Sequence, residues 1–259
     1  MSEVVLRELV DRVAVLSLNR PEKHNAFNDE MMDAWTRALD WAIGEPDARC
    51  ILIRGEGASF SSGRDVTELG QRAKGETDYE FVRRAQDDAL RLSETPKPVI
   101  AALRGYVFGG SFELALRADI RVAATDVKMC FPEIGFGILP DTGGTQLLTM
   151  LAGPSRAKLL IMTGDRIGAD DAKAWGIVDI VVAPEQLDEA ALDLARRLAS
   201  GPPLALALAK QLVDQFSADD VRRGTRAELV AQTGLFSSDD YREARAAHAE
   251  GRKPRFTGR

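Results

Sequence analysis

Apolar runs alternate with helical periodicities over the first two-thirds of the chain, and only helical periodicities follow. "VAVLSLNRP" (13–21) reads as a strand stopped by proline. "NDEMMDAWTRALDWAI" (28–43) places Met31, Met32, Trp35, Ala38, Leu39, Ala42 and Ile43 at helical spacing, with Asn28 or Asp29 as the cap. "RCILIRGEG" (49–57) and "KPVIAALRG" (97–105) predict buried strands that end in glycine turns. Between them, residues 66–94 are polar with sparse apolar positions and predict a surface helix region. "SFELALRADI" (111–120) predicts a short helix leading into the strand "IRVAA". "PSRAKLLIMTG" and "GADDAKAWG" predict helices around a glycine-rich break, followed by the strand "VDIVVA" (178–183).

From residue 185 strand signals vanish. Helical segments are expected over 185–200, 203–216, 218–236 and 238–250. Pro184, Gly201, Pro202 and Pro203 punctuate the change near 184–203. The pattern predicts an α/β core over residues 1–190 and a helical C-terminal region over 191–259.

Composition narrows the function classes. The 259 residues are 45% hydrophobic and 29% charged, as in a globular protein with a sizeable core. The net charge of −6 speaks against a broad phosphate-binding surface. Cys50 and Cys130, 80 positions apart, make no disulfide framework and read as buried thiols of a reducing compartment. The stretch "MSEVVLRELVDRVAVL" lacks the pattern of a signal or transit peptide, and no apolar run approaches a membrane span. A cytoplasmic protein is expected.

The chemistry must come from carboxylates. His24 and His248 have no partner at ligand or triad spacing and read as solvated, so no metal site is expected. Neither G-x-x-x-x-G-K-[ST] nor G-x-G-x-x-G occurs, and "GGS" at 109–111 is not a nucleophile elbow. In "LRGYVFGGSFELALRADI" a strand runs through glycines into a helix whose first N–H groups are unpaired and electropositive. An oxygen that becomes negative could rest on the Gly110 N–H with no side chain in its way. "GASFSSGRDVTEL" offers a similar loop and a second N–H near Gly63 and Arg64. Glu113 falls in the first turn of the helix, where a carboxylate also serves simply to stabilise the helix end. Glu133, between Pro132 and "IGFGIL", is in an apolar setting that raises a carboxyl pKa toward neutrality, although a turn residue would look the same.

Taken in order, "RPEKHNAFN", "GEGASFSSGRD", "ALRGYVFGGSFELALRADIRVA", "FPEIGFGILPDTGGTQLL", "AKAWGIVD" and "EARAAHAEGRKPRFTGR" resemble the crotonase, or enoyl-CoA hydratase/isomerase, superfamily over nearly the whole chain. The resemblance implies a spiral of ββα units and C-terminal helices that assemble trimers or pairs of trimers. It implies an acyl-CoA thioester as ligand, with coenzyme A carried by the substrate and no separate cofactor. The thioester carbonyl would be gripped by the backbone N–H groups of Arg64 and Gly110. Glu113 and Glu133, twenty residues apart, match the pair that holds the attacking water in family hydratases. Lys23, Ala26, Ser62, Arg64, Asp65, Lys253 and Phe256 match segments that line the CoA and acyl parts of the ligand, the last two sometimes from a neighbouring subunit; Arg20 is a further basic candidate.

The chain also departs from the family pattern. "GGSFE" replaces the glycine-rich "GGG-x-E", bringing in Ser111 and the bulky Phe112. Arg64 stands where a small residue is common. Asp141 stands where isomerases of dienoyl or ring-derived acyl-CoA esters place a proton-moving aspartate. The expected reaction is therefore hydration of a 2-enoyl-CoA, with double-bond isomerisation through Asp141 as the alternative. A non-catalytic CoA-ester- or RNA-binding member of the fold is disfavoured by the retained carboxylates and by the lack of a basic, aromatic-laced stripe.

Overall fold

The computed structural model describes residues 3–72 and 75–259. Residues 1–2 of the N-terminal stretch and 73–74 of the 66–94 region lie outside the described residues. A six-stranded sheet forms the spine. Its order is β1 (Val5–Val10), β2 (Val13–Leu18), β3 (Cys50–Gly55), β4 (Val99–Leu103), β6 (Ile120–Ala124) and β8 (Ile180–Val182). β1 and β2 pair antiparallel, and every later neighbour is parallel. Parallel strands covered on both faces read as unbroken apolar runs, which is why β2, β3 and β4 stand out in the sequence.

Alternate residues of those runs feed two cores. Leu16, Leu18, Ile51, Ile53, Ala101 and Leu103 point to one face, where α1 (Asp29–Gly44) presents Met31, Trp35, Ala38 and Leu39. Val13, Val15, Leu52, Ile100, Val122 and Ala124 point to the other. There α7 (Leu187–Ala199) covers them with Leu187, Ala191, Leu194 and Ala195. The division at 190/191 thus falls inside a helix that belongs to the sheet's core. Asn28 caps α1 by accepting the Met31 N–H at 3.0 Å. Asn28→Ala is expected to cost about 1 kcal/mol, read as a lower denaturant midpoint at unchanged slope.

A second, two-stranded ribbon pairs β5 (Tyr106–Phe108) with β7 (Lys128–Cys130). A single bridge from Ser61 to Val107 extends it. Each turn of the winding is therefore a strand in the large sheet, an extended segment in the ribbon, and a helix. The helices are α2 (Asp78–Glu94) after β3, α3 (Gly110–Leu116) after β5, and α4 (Gly144–Ala152) after β7. This is the mixed α/β arrangement expected.

The edge strand β1, the ribbon strands and α4 are additions to the sequence reading. The helix expected within 66–94 starts only at Asp78, where Thr77 and Glu80 form a capping box. Before it, Val66–Glu68 make a single 3₁₀ turn. α5 (Pro154–Thr163) and α6 (Ala169–Ala174) precede β8 as expected. After α7 come α8 (Pro203–Asp214), α9 (Ala218–Phe236) and α10 (Asp239–Ala249), close to the expected bounds. No helix among the described residues is long and apolar enough to cross a membrane.

Candidate active site

The winding brings two glycine loops together. Gly63 has φ +88° and stands so close to β5 that a β-carbon there would lie 2.6 Å from the Phe108 carbonyl oxygen. Only glycine fits this approach. Phe27 N donates to Gly63 O at 2.8 Å, and Asp65 N donates to Phe27 O at 2.9 Å. Those bonds flank Arg64 and bypass its N–H. Across the loop, Gly110 opens α3, so its N–H has no carbonyl a turn earlier to receive it.

Between these loops lies a cavity of about 240 Å³. Glu113, Glu133 and Asp141 all line it, with Ser62, Arg64 and Gly110. Apolar walls come from Phe27, Trp35, Phe81, Phe136 and Phe236. The structure therefore gathers the three candidate carboxylates around the two glycine turns, although they come from α3, the 3₁₀ turn Pro132–Phe136 and the loop before α4.

The carboxylates differ in their partners. Glu113 is 1% exposed. Its Oε1 accepts the N–H groups of Thr142 and Gly144, each at 2.8 Å, and its Oε2 accepts that of Asp141 at 3.3 Å. Burial raises its pKa, while those amides pull it back toward the charged form. Glu133 has less help, from its own backbone N–H alone. Its Oε2 is buried without a hydrogen-bond partner. Burial first, then the charges of Glu113 and Asp141, push its carboxyl well above the usual range. Between the two, the proton favours Glu133 and the charge favours Glu113. Gly109, at φ +57°, makes room for this arrangement: a β-carbon there would lie 2.6 Å from Glu133 Oε1. Asp141 is also held well above the ordinary carboxylate range, by burial and then by Glu113 and Glu228.

The departures from the family pattern leave the cavity open. Phe112 turns into the core and stacks on Phe131 at 4.6 Å. Ser111 Oγ donates to Ser61 Oγ at 2.5 Å. The Arg64 guanidinium is tied down by Asp29 at 2.6 Å and Glu68 at 3.4 Å, and it lies 5.2 Å from the Phe81 ring. It is thus a fixed part of the cavity wall.

The other candidates sit further out. Arg20 is engaged by Asp65 at 3.3 Å and by the Ala26 carbonyl at 2.5 Å, so Arg20, Ala26 and Asp65 brace the loop rather than line the cavity. Lys23 is exposed on the turn beside Ser62. Lys253 and Phe256 are exposed on the C-terminal tail and do not line the cavity of this chain. That tail is tied to α10 through Arg255 N on Glu243 and Thr257 N on Asp240. Both histidines are exposed, and His24 Nδ1 lies 3.0 Å from Ser59 Oγ. Among the described residues no cluster of three or more metal-ligating side chains occurs. Cys50 and Cys130 are buried and unpaired, with thiols pushed up to about 12, chiefly by burial.

The sequence reading missed the shell behind the carboxylates. Arg117, 4% exposed, donates from Nε and Nη2 to the Thr142 carbonyl. Gln86 Nε2 reaches both Asp141 O and Thr225 O at 2.6 Å. Glu228 accepts from the Gly143 N–H at 2.7 Å. A signal was present. Thr225, Glu228 and Gln232 fall on the same helical stripe of α9 as the buried Val221 and Leu229. Polar residues at core positions must have buried partners.

Comparison with known proteins identifies the family. The chain is 35% identical over 262 residues to a 1,2-epoxyphenylacetyl-CoA isomerase of Escherichia coli, covering 100% of both chains. It is 35% identical to a short-chain-enoyl-CoA hydratase of Clostridium acetobutylicum, over 96% of this chain and 95% of the relative. The crystal structure of an enoyl-CoA hydratase from Mycobacterium avium subsp. paratuberculosis superposes with a TM-score of 0.88 at 25% identity, covering 98% of each chain. The enoyl-CoA hydratase/isomerase family model matches residues 8–259. With the fold, the relatives and the family pattern in agreement over nearly its whole length, the chain belongs to the enoyl-CoA hydratase/isomerase family.

Proposed function

We propose that the protein adds water to a 2-enoyl-CoA thioester, giving a 3-hydroxyacyl-CoA. The observation that carries this reading is the unequal pair in one cavity: Glu113 accepts three backbone N–H groups, which favour its charged form, while Glu133 Oε2 is buried without a partner and burial, then the charge of Glu113, raises its pKa. The thioester oxygen rests on the N–H groups of Arg64 and Gly110, which stabilise the charge that develops there. Glu113 takes a proton from water as its oxygen bonds to the β-carbon. The electrons of the double bond move toward the thioester, and Glu133 delivers its proton to the α-carbon. Coenzyme A is carried by the substrate, and no other cofactor takes part.

The ligand's CoA end then runs out past Ser62 to Lys23. Ala26 and Asp65 shape that loop from behind. Lys253 and Phe256 serve a neighbouring copy in a trimer or a pair of trimers. In support of assembly, α8 and the turn after it leave Leu204, Leu208, Leu212 and Phe216 exposed. The unpaired buried thiols fit a reducing, cytoplasmic setting.

A second reading has its own observation. Asp141 lines the same cavity and is strongly biased to hold a proton. An isomerase could take a proton from one carbon and return it to another through that group. Two variants discriminate. Asp141→Asn is expected to retain most of the hydration of a short 2-enoyl-CoA, while Glu133→Gln loses it, both followed by the decay of enoyl thioester absorbance. If Asp141→Asn is the more damaging change, the hydratase reading fails.

A further inference from the structure

Glu228 lies outside every step above, yet it is 4% exposed and in contact with the loop that carries the chemistry. Its Oε2 accepts the Gly143 N–H at 2.7 Å. Its Oε1 accepts the Thr145 N–H at 3.1 Å and the Thr145 hydroxyl at 2.5 Å. From the opposite side, Glu113 takes the N–H groups of Asp141, Thr142 and Gly144. Two buried carboxylates thus divide the consecutive amides of residues 141–145 between them. Further bonds hold the same loop on the α9 side. Gln232 Oε1 accepts the Leu139 N–H at 3.1 Å, and Gln86 ties the Asp141 carbonyl to that of Thr225. Arg117 joins the Thr142 carbonyl to the Thr225 hydroxyl.

A carboxylate is the side chain this position requires. Both of its oxygens face donors, and an amide side chain would turn an NH₂ group toward one of them. The carboxylate is held there against a cost. Burial, and then the charge of Glu113, raise its pKa to about 7.

From this placement we infer that Glu228 is a positioning residue for the reaction, reaching from α9 to fix residues 141–145. The amides that keep Glu113 charged, and the carboxyl of Asp141, are then set in place at the cavity wall. Through this clamp the C-terminal helical region takes part in the chemistry of the core. The inference rests on the reading of Glu113 as the base.

The test is kinetics on the full-length protein with crotonyl-CoA, beside hydrogen exchange at individual amides. Glu228→Gln is expected to lower kcat by roughly 10- to 100-fold, the scale of a small misplacement of catalytic groups. KM should stay close to the wild-type value, because the apolar cavity walls and the thioester N–H donors are untouched. Exchange at Gly143 and Thr145 should accelerate, while the amides of β3 and β4 keep their protection. Thr145→Val removes the hydroxyl that donates to Glu228 and accepts from Gln146 Nε2, keeps the N–H bond to Glu228, and should move kcat in the same direction by a smaller factor. A folded Glu228→Gln protein with wild-type kcat, or with wild-type protection at Gly143 and Thr145, overturns the inference. If Glu228→Gln does not fold, an unchanged kcat in Thr145→Val overturns it instead. Absence of hydration by the wild type in the same assay would sink the hydratase reading, and the exchange data would still decide whether the clamp exists.

Discussion

Glu133→Gln should lower kcat for hydration of crotonyl-CoA by roughly 10³-fold or more, toward the upper end of what a positioned acid–base group supplies, while leaving the protein folded. Glutamine has the shape of the neutral carboxylic acid but cannot deliver its proton to the α-carbon. Structurally the replacement is mild. The buried Oε2 has no partner to lose, and the close passage beside Gly109 is kept. Linkage gives a second readout of opposite sign. The carboxyl pKa is raised in the folded state, so its contribution to stability is complete below the ordinary carboxyl pKa. That contribution is lost as pH rises through the raised value. Glutamine never ionises, so the variant should match the wild type under acidic conditions and be the more stable protein under alkaline ones. Denaturant midpoints at about pH 4 and about pH 9 test this. A variant with low activity and lower stability throughout would mark Glu133 as a structural residue.

Gly110→Pro tests the thioester grip. The position opens α3, where proline is tolerated because the missing N–H has no intrahelical role. A β-carbon there meets nothing within 4 Å. Gly109 precedes it at φ +57° and ψ −133°, the mirror image of the extended conformation that proline favours in its predecessor, and an achiral residue adopts it freely. The substitution therefore removes one donor with little backbone strain and sets the ring Cδ where the amide hydrogen pointed. It should cost ~10²–10³-fold in kcat, the measure of one oxyanion donor. The lost donor lowers kcat, since it is worth most when charge has developed on the oxygen, and the ring Cδ standing in the carbonyl's place raises KM as well. An unchanged kcat in a folded Gly110→Pro protein would remove this N–H from the mechanism.

The sequence was most legible where local pattern and tertiary role coincide. The runs of β2, β3 and β4 are apolar because both faces are covered, and α1 shows its buried stripe and its Asn28 cap openly. β5 and β7 escaped because three residues carry no measurable period, and each is set by its neighbours across the ribbon. α4 escaped because it follows Gly143 at φ +101° with no capping side chain. At the site, Glu113, Glu133 and Asp141 could be named from spacing and family pattern. Their division of the proton could not, because it depends on the amides of Asp141, Thr142 and Gly144, which the fold brings back onto Glu113. Arg64 could be named for its backbone N–H, but the ion pairs that fix its side chain come from Asp29 and Glu68. Glu228 lies 115 residues beyond Glu113 in sequence and meets it only through a shared loop.

The most direct measurement follows the oxygen atom. Purified protein is incubated with a short 2-enoyl-CoA and, separately, a 3-enoyl-CoA in water enriched in heavy oxygen, and the products are weighed by mass spectrometry. Hydration through the Glu113–Glu133 pair predicts a 3-hydroxyacyl-CoA carrying one heavy oxygen from the 2-enoyl ester. A displaced double bond with no heavy oxygen in the product would contradict it.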